Sequence, residues 1–516
     1  MGKAYHVMKL ADKTIINIFA QSSNSFLLLI SSMVLVRYLN KADYGTYMQF
    51  MLISNTVIML TFLGLPQSIY YFYPKALNRS KFIFRSILIS LFIGLIAALL
   101  IYVLKNRLAD WLNNPAFSYY GWLIALLIFF KALSYFREPI LLSDDQLIFN
   151  AFSTLLCNFI FYVPVIAAIC FFQSLKILLL ILLFSSGLEF IINFLFTFKV
   201  FLKEKQSSLN SEISKQKQTD ISLIKQLRYA FPIGISSYLG IISRQFDQFI
   251  ISVYFTPKDF AVYTRGAMRI PFLSSLPFMI NNIIMPKYVD SFQKGDLRQF
   301  LDYFHRSIEK LAKINFPAFS FLFAVAPSLI TLLYTNEYVG AASIFRVYLG
   351  ILVVSVTTYS IVPRASGKTS FIMHATIISL SINIILSLLF VSIFGAIGAA
   401  FATLAAIVAS NFYLLLLSCR ILNLSLKKIF PWSYLFRLFS VSLLAGIPVY
   451  CLEYIFSAGD TPKLFILLLD ALVYGYCIIF LMMRQRLINQ DDMEILRRWF
   501  RFDVQRWLHK LTFVSY

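Results

Sequence analysis

Apolar stretches of roughly 20 residues recur along the whole chain, separated by short polar segments, and each is long enough to cross a ~30 Å hydrocarbon core as a helix. They lie near 15–36, 45–73, 83–104, 119–136, 148–172, 175–198, 229–255, 260–285, 314–334, 343–362, 370–393, 396–418, 434–456 and 464–483. The pattern predicts an all-α polytopic membrane protein of about 14 transmembrane helices, with its tightest connection at Gly395, between the eleventh and twelfth. The first run follows Lys3, Lys9 and Lys13 and exceeds a signal-peptide core, so a retained first span is expected.

Two segments interrupt the pattern. Residues 201–228 are rich in Ser, Gln and Lys, which predicts a flexible linker after the sixth span. In the tail, 484–516, Leu496, Trp499, Phe500, Trp507, Leu508 and Leu511 share one helical face while Arg497, Arg498, Arg501, Arg506 and Lys510 mostly take the other. That arrangement predicts an interfacial amphipathic helix at the membrane surface.

Composition removes the soluble alternative. The chain is 59% hydrophobic and only 14% charged, with mean hydropathy +0.75, so it cannot cover a soluble surface with polar groups. Its net charge of +22 would suit nucleic acid, yet the cations sit in short loops between apolar runs, where anionic lipids are the natural partner and no nucleic acid is expected. With the N-terminus in the cytoplasm, 35 of the 46 Lys and Arg fall on inside segments and 7 on outside loops. The other four, Arg244, Arg265, Arg269 and Arg346, lie within spans. A miscounted span would invert every later loop, so the asymmetry predicts an even count with both termini cytoplasmic.

An internal repeat organises the spans. YLNKADYGTY (Tyr38 to Tyr47) follows the first span and YFTPKDFAVY (Tyr254 to Tyr263) follows the seventh. At an offset of 216, Tyr38/Tyr254, Asp43/Asp259 and Tyr47/Tyr263 are identical, and Pro74-Lys75 is echoed by Pro286-Lys287. Six spans separate the copies, so the repeats run parallel, a transporter architecture that holds substrate at the repeat interface. The expected organisation is a six-helix lobe over 1–200, the linker, a second six-helix lobe over 229–419, an extra helix pair over 420–483 and the tail.

These segments resemble the polysaccharide-export flippases, the Wzx-type branch of the multidrug/oligosaccharidyl-lipid/polysaccharide (MATE-like) superfamily. The likeness covers roughly residues 10–420. It is carried by RYLNKADYGTY from Arg37, Phe231-Pro232 with Asp247, Tyr263 to Pro286, LLYTNEYVGAASIFRV (332–347), Ser366-Gly367-Lys368-Thr369 and FGAIGAAFATL (394–404). Where the family has Gly after Leu-Leu-Tyr, this chain has Thr335-Asn336. The resemblance implies two six-helix lobes around a cavity that opens alternately to each side. It also implies a cargo of oligosaccharide on an undecaprenyl-type pyrophosphate lipid, moved outward across a bacterial or archaeal cytoplasmic membrane, with a glycan polymerase and chain-length proteins as partners.

A charge at mid-bilayer costs about 2.5–3.5 kcal/mol on insertion scales, so intramembrane charges are candidates for function. Arg244 and Arg269 lie roughly 13–15 Å deep at 1.5 Å per residue, and on a continuous helix Arg265 would stack one turn from Arg269. Guanidiniums there would offset desolvation of a pyrophosphate with bidentate bonds, which makes Arg244, Arg265 and Arg269 the expected anion site. Asp247 is also placed to pair with Arg244, and Arg346, one turn inside its span, to snorkel. Asn17, Gln21 and Asn24 form one stripe of the first span and, with Gln248 of the seventh, would line a wet cavity or join helices. Asp247, Glu189 and Asp470 are the candidates for H⁺ or Na⁺ coupling. Neither the five cysteines nor the scattered His6, His305, His374 and His509 form a metal or catalytic constellation, and no cofactor is expected.

Two other functions share these features. A drug or metabolite antiporter of the same superfamily would centre on acids rather than arginines. A glycan polymerase or ligase would present a large outer loop with catalytic residues, whereas the longest outer loop here, 105–118, has no His and one acid. The 2–3 loop also lacks the Gly-x-x-x-Asp-Arg-x-Gly-Arg-like turn of major-facilitator carriers.

Overall fold

The computed structural model describes residues 10–62, 64–132, 134–210, 222–456 and 462–488, and every regular element among them is helical. Hydrocarbon offers backbone N–H and C=O groups no partners, so helices are what apolar runs of this length must form. Two compact units divide between Thr264 and Arg265.

The first unit contains α1 (Leu10–Tyr38), α2 (Lys41–Thr61), α3 (Leu65–Phe72), α4 (Arg79–Trp111), α5 (Ala116–Lys131), α6 (Ser134–Ser143), α7 (Leu147–Phe172), α8 (Leu175–Asn210) and α9 (Leu223–Tyr254). Helix α10 (Pro257–Gly266) straddles the division, and the second unit continues with α11 (Pro271–Gln293), α12 (Leu297–Ala324), α13 (Ala326–Tyr334), α14 (Ala341–Val354) and α15 (Ile361–Ala365). It closes with α16 (Ser370–Phe394), α17 (Ala396–Leu422), α18 (Leu426–Ile429), α19 (Trp432–Phe456) and α20 (Lys463–Arg484). Helices α8 and α9 enter the expected linker from both sides, and its residues 211–221 lie outside the described residues. So does the expected tail helix from 489 onward.

Among the described residues eight helical segments, with α5–α6 taken as one, are long and apolar enough to cross a membrane, or ten if α2–α3 and α12–α13, bent by 42° and 75°, each count as one span. Reaching the expected fourteen means adding α1, α9, α10–α11 and α14–α15. Those are the spans that carry the polar stripe, the four intramembrane arginines and two of the helix breaks. The apolar helices form a scaffold, and the departures from it concentrate the chemistry.

The repeated motif has a local physical cause. Asn40 caps α2 by accepting from the Asp43 N–H at 2.9 Å, while its amide donates to the Asp43 carboxylate at 2.8 Å. In the second copy Thr256 accepts from the Asp259 N–H at 3.3 Å, and its own N–H and hydroxyl donate back to that carboxylate at 3.3 and 2.7 Å. These are reciprocal capping pairs with the acid at the third helical position, satisfying donors that every helix start leaves open. The Tyr44/Phe260 and Tyr47/Tyr263 positions behind them are buried in both copies.

The two motifs also abut. A Cβ built on Gly45 would lie 1.7 Å from the Pro257 carbonyl oxygen, so no side chain fits there. Helix α9 packs along α2 and α3, joined by Gln49 to the Ser252 hydroxyl at 3.0 Å, Thr56 to Gln245 at 3.0 Å and Gln226 to Ser68 at 3.0 Å. Gly64, at φ +73°, lets the α2–α3 break approach the α9 backbone, where a Cβ would meet the Ala230 oxygen at 2.5 Å. Asn114 extends the seam by donating to Gln49 at 2.6 Å and Thr46 at 2.9 Å.

At the predicted cytoplasmic end, Lys203 of α8 reaches Asp144 in the α6–α7 turn at 2.8 Å. Burial raises the Asp144 pKa, but hydrogen bonds from Lys203 and Gln146, the Lys203 charge and the Tyr73 hydroxyl outweigh it and hold the carboxyl below its ordinary value. In the second unit, a core of Tyr288, Phe300, Phe304, Phe316 and Leu438 joins α11, α12 and α19. Gly395, at φ +64°, makes the tight turn expected between α16 and α17.

Gly45→Ala forces the two motifs apart, and a loss of about 1–3 kcal/mol is expected from such overpacking, read as a lower melting temperature of the purified protein. Lys203→Met should lower the melting temperature at neutral pH. A carboxylate with a depressed folded pKa stabilises above its unfolded pKa and loses that contribution as pH falls through the folded value. The difference between variant and wild type should therefore close below the ordinary carboxylate range.

Candidate functional site

In the second unit, the expected eighth span is not one helix. It ends as α10 at Gly266 and restarts as α11 at Pro271, leaving 267–270 unwound. Arg265 and Arg269 therefore do not stack one turn apart, as a continuous helix would require. The cause is local: a Cβ on Gly266 would meet the Ala341 oxygen and the Ile344 Cβ, both at 2.6 Å, so α10 ends tight against α14, and Pro271 begins a new helix. Arg265 is buried, its guanidinium 5.4 Å from the Tyr334 ring centroid, and the Tyr334 hydroxyl reaches Met268 Sδ at 3.2 Å. Arg269 is exposed within the break and lines a cavity of about 130 Å³ with Met268, Ser274, Tyr348 and Ser355. Unwound backbone inside a membrane span belongs where it lines a protein cavity, and there its free N–H groups and an arginine can meet an anion.

Arg244 and Asp247 belong to the first unit, on α9. Arg244 is exposed, and its Nη1 lies 3.4 Å from where a Cβ on Gly240 would stand. Asp247 is fully buried and accepts from the Tyr263 hydroxyl at 2.7 Å, which ties the repeat's last tyrosine to α9. Gln248 is half-buried on the same helix. Arg346 donates to the Phe323 carbonyl at 3.0 Å and lies over the rings of Phe323 and Tyr450.

From α1, Gln21 and Asn24 reach α6 and α7. Gln21 donates to Glu138 at 2.8 Å, and Asn24 accepts from Tyr162 at 3.0 Å; Asn17 belongs to the same helix. Beside them, Gln67, Tyr70, Ser134, Tyr135 and Glu138 line a cavity of about 330 Å³. Glu189 is held by Lys131 at 3.0 Å and the Ser134 hydroxyl at 3.1 Å. Asn193 donates to Ser134 at 2.7 Å and accepts from Arg137 at 3.0 Å, and Arg137 also reaches Thr154 at 2.9 Å. Asp470 of α20 is fully buried, facing Glu453 of α19. No group of three or more His, Cys, Asp or Glu able to hold a metal occurs among the described residues.

A model of the polysaccharide biosynthesis protein family matches residues 34–343. The chain belongs to that family. Among solved structures, this family member is similar to lipid II flippase MurJ in an inward closed conformation, with TM-score 0.67 and 16% identity over 92% of this chain and 100% of that one. It is also similar to a multidrug resistance MATE family transporter of the MOP superfamily, inward-facing, with TM-score 0.59 and 12% identity over 80% of this chain and 99% of that one. No match was found among curated protein sequences. The likenesses establish the fold, and family, fold and apolar helices together make this a multi-pass membrane protein of the polysaccharide biosynthesis family.

Sequence reasoning missed Lys131, Ser134, Arg137 and Glu138 because it assigned the cations to an inner loop. The available signal was Arg137-Glu138-Pro139 directly after an apolar run, too polar for a span and too embedded for a turn. Glu453, inside the thirteenth apolar run, was legible as an intramembrane acid and was not singled out. A double-mutant cycle on Lys131→Met and Glu189→Gln tests the first network, with a coupling energy of about 1 kcal/mol or more expected from thermal melts.

Proposed function

We propose that this protein is a flippase that moves an undecaprenyl-pyrophosphate-linked oligosaccharide, the repeat unit of an O-antigen, capsule or exopolysaccharide, from the cytoplasmic to the outer leaflet of a bacterial or archaeal cytoplasmic membrane. Alternating access of the two repeats drives it, coupled to H⁺ or Na⁺ through one of Asp247, Glu189 and Asp470. Both termini face the cytoplasm, and a glycan polymerase and chain-length proteins act on the delivered cargo. The observation that carries the reading is Arg269 in an unwound span beside a cavity, in a member of a polysaccharide biosynthesis family. That cavity suits an anionic headgroup rather than a glycan, and the headgroup is the part of the cargo that is costly to desolvate. Arg265, held against Tyr334, adds positive potential to the same break, and Arg244 offers a second guanidinium on α9.

A drug or metabolite antiporter is the second reading. One observation favours it, the Glu138-lined cavity of the first unit, where a carboxylate and the Tyr70 and Tyr135 rings could take an organic cation.

In cells lacking the protein, lipid-linked oligosaccharide should accumulate on the cytoplasmic leaflet, and wild type should clear it. At equal expression Arg269→Ala should slow clearance about tenfold or more, the scale of a lost charge-assisted contact worth about 1.5–3 kcal/mol. Undiminished export would remove Arg269 from the mechanism. Normal flipping with glycan left unpolymerised would replace the flippase by a polymerase, and dye efflux abolished by Glu138→Gln would favour the antiporter.

A further inference from the structure

The helix pair α19–α20 carries an acid pair. Asp470 is fully buried and Glu453 nearly so, and their carboxyls lie within hydrogen-bonding reach of each other. The Ser328 hydroxyl of α13 donates to Glu453 Oε2 at 2.6 Å. No N–H or O–H among the described residues donates to either oxygen of Asp470 or to Glu453 Oε1, so three buried carboxyl oxygens point into one site without a donor. Two carboxylates this close in a low-dielectric interior cannot both ionise without compensation. One proton shared between them supplies the missing donor.

Among the described residues the surroundings show no other compensation. On α20, Tyr474 is engaged with the Pro317 carbonyl of α12 at 2.9 Å. The nearest cation described on α14, Arg346, is committed to the Phe323 carbonyl and the rings of Phe323 and Tyr450. On α13 the polar group at the site is Ser328 itself. Two carboxyls and one hydroxyl supply at most about five oxygens, fewer than the six to eight that a calcium ion takes.

Helix α13 makes the position consequential. It leaves α12 at a 75° bend just before Ser328, and it ends at Tyr334, whose ring lies under Arg265 and whose hydroxyl meets Met268. Met268 and Arg269 line the cavity in the broken span. One rigid element of two turns therefore has the acid pair at its foot and the proposed anion site at its head.

We propose that Glu453 and Asp470 form a carboxyl pair holding one exchangeable proton, and that its release, transmitted through Ser328 and α13, weakens anion binding beside Arg269. When protonated, one carboxyl donates to the other and the pair carries a single negative charge. When the proton leaves to water, two facing carboxylates repel, the α19–α20 pair loosens its hold on Ser328, and Tyr334 shifts under Arg265. The proton site stands on its own geometry; only the link to the anion cavity rests on the flippase reading.

The test uses the purified full-length protein, with infrared difference spectra from about pH 5 to about pH 9. A protonated-carboxyl band that titrates as one proton is expected in wild type, retained in Asp470→Glu and lost in Asp470→Asn and Glu453→Gln, each checked as monodisperse. Absence of the band in wild type, its survival in both amide variants, or its removal by Na⁺ at fixed pH overturns the proton site. Inorganic sulfate, whose charge is constant over this range, probes the cavity. Its affinity should fall several-fold as the pair deprotonates and lose that dependence in Asp470→Asn. A pH-independent sulfate affinity in wild type overturns the coupling, whereas an intact band with no sulfate binding at all condemns the anion-site reading alone.

Discussion

Hydrocarbon leaves no backbone polar group without a partner, and the fold is arranged around the few places where a span breaks that rule. Where α14 ends, the Asn315 amide of α12 donates to the carbonyls of Leu352 and Ser355 at 3.2 and 3.0 Å, taking up acceptors that the next helical turn would have used. Within α11 the Pro277 carbonyl accepts from the Asn281 amide one turn on at 2.8 Å and from the Thr358 hydroxyl at 3.2 Å. Polar side chains such as Asn315 inside apolar surroundings thus serve the backbone of a neighbouring element. The break that holds Arg269 lines a cavity.

The helical class and the apolar scaffold were legible because hydropathy over 20 residues depends on nothing beyond the segment itself. The repeat was legible too, and its identical acids prove to be capping residues, a local function that leaves a local signature. What stayed hidden required a neighbour. The end of α10 at Gly266 is set by the Ala341 carbonyl and Ile344, 75 residues or more further on, and no periodicity announces it. Lys131 and Arg137 read as loop cations because a charge count cannot distinguish a residue facing water from one facing Glu189 or Asn193. Glu453 and Asp470 sit in separate apolar runs, and only packing brings them together.

Charge is divided unevenly between the units. In the first, Lys131, Glu189, Glu138 and Arg137 occur among donors and acceptors that bind them into a network. In the second, Arg269 is exposed in a break, and neither carboxyl oxygen of Asp470 has a donor among the described residues.

The close approach of Gly45 to the Pro257 carbonyl bears on how such a chain can diverge. Duplicated segments ordinarily drift apart, each free to change without reference to its twin. Here the beginnings of the two copies are pressed against each other at 1.7 Å from where a methyl group would stand, so a substitution in one is screened by the backbone of the other. Chimeras that exchange half of this protein for half of a relative would have to carry both motifs across together, and the natural seam for recombination lies outside the pair rather than between them.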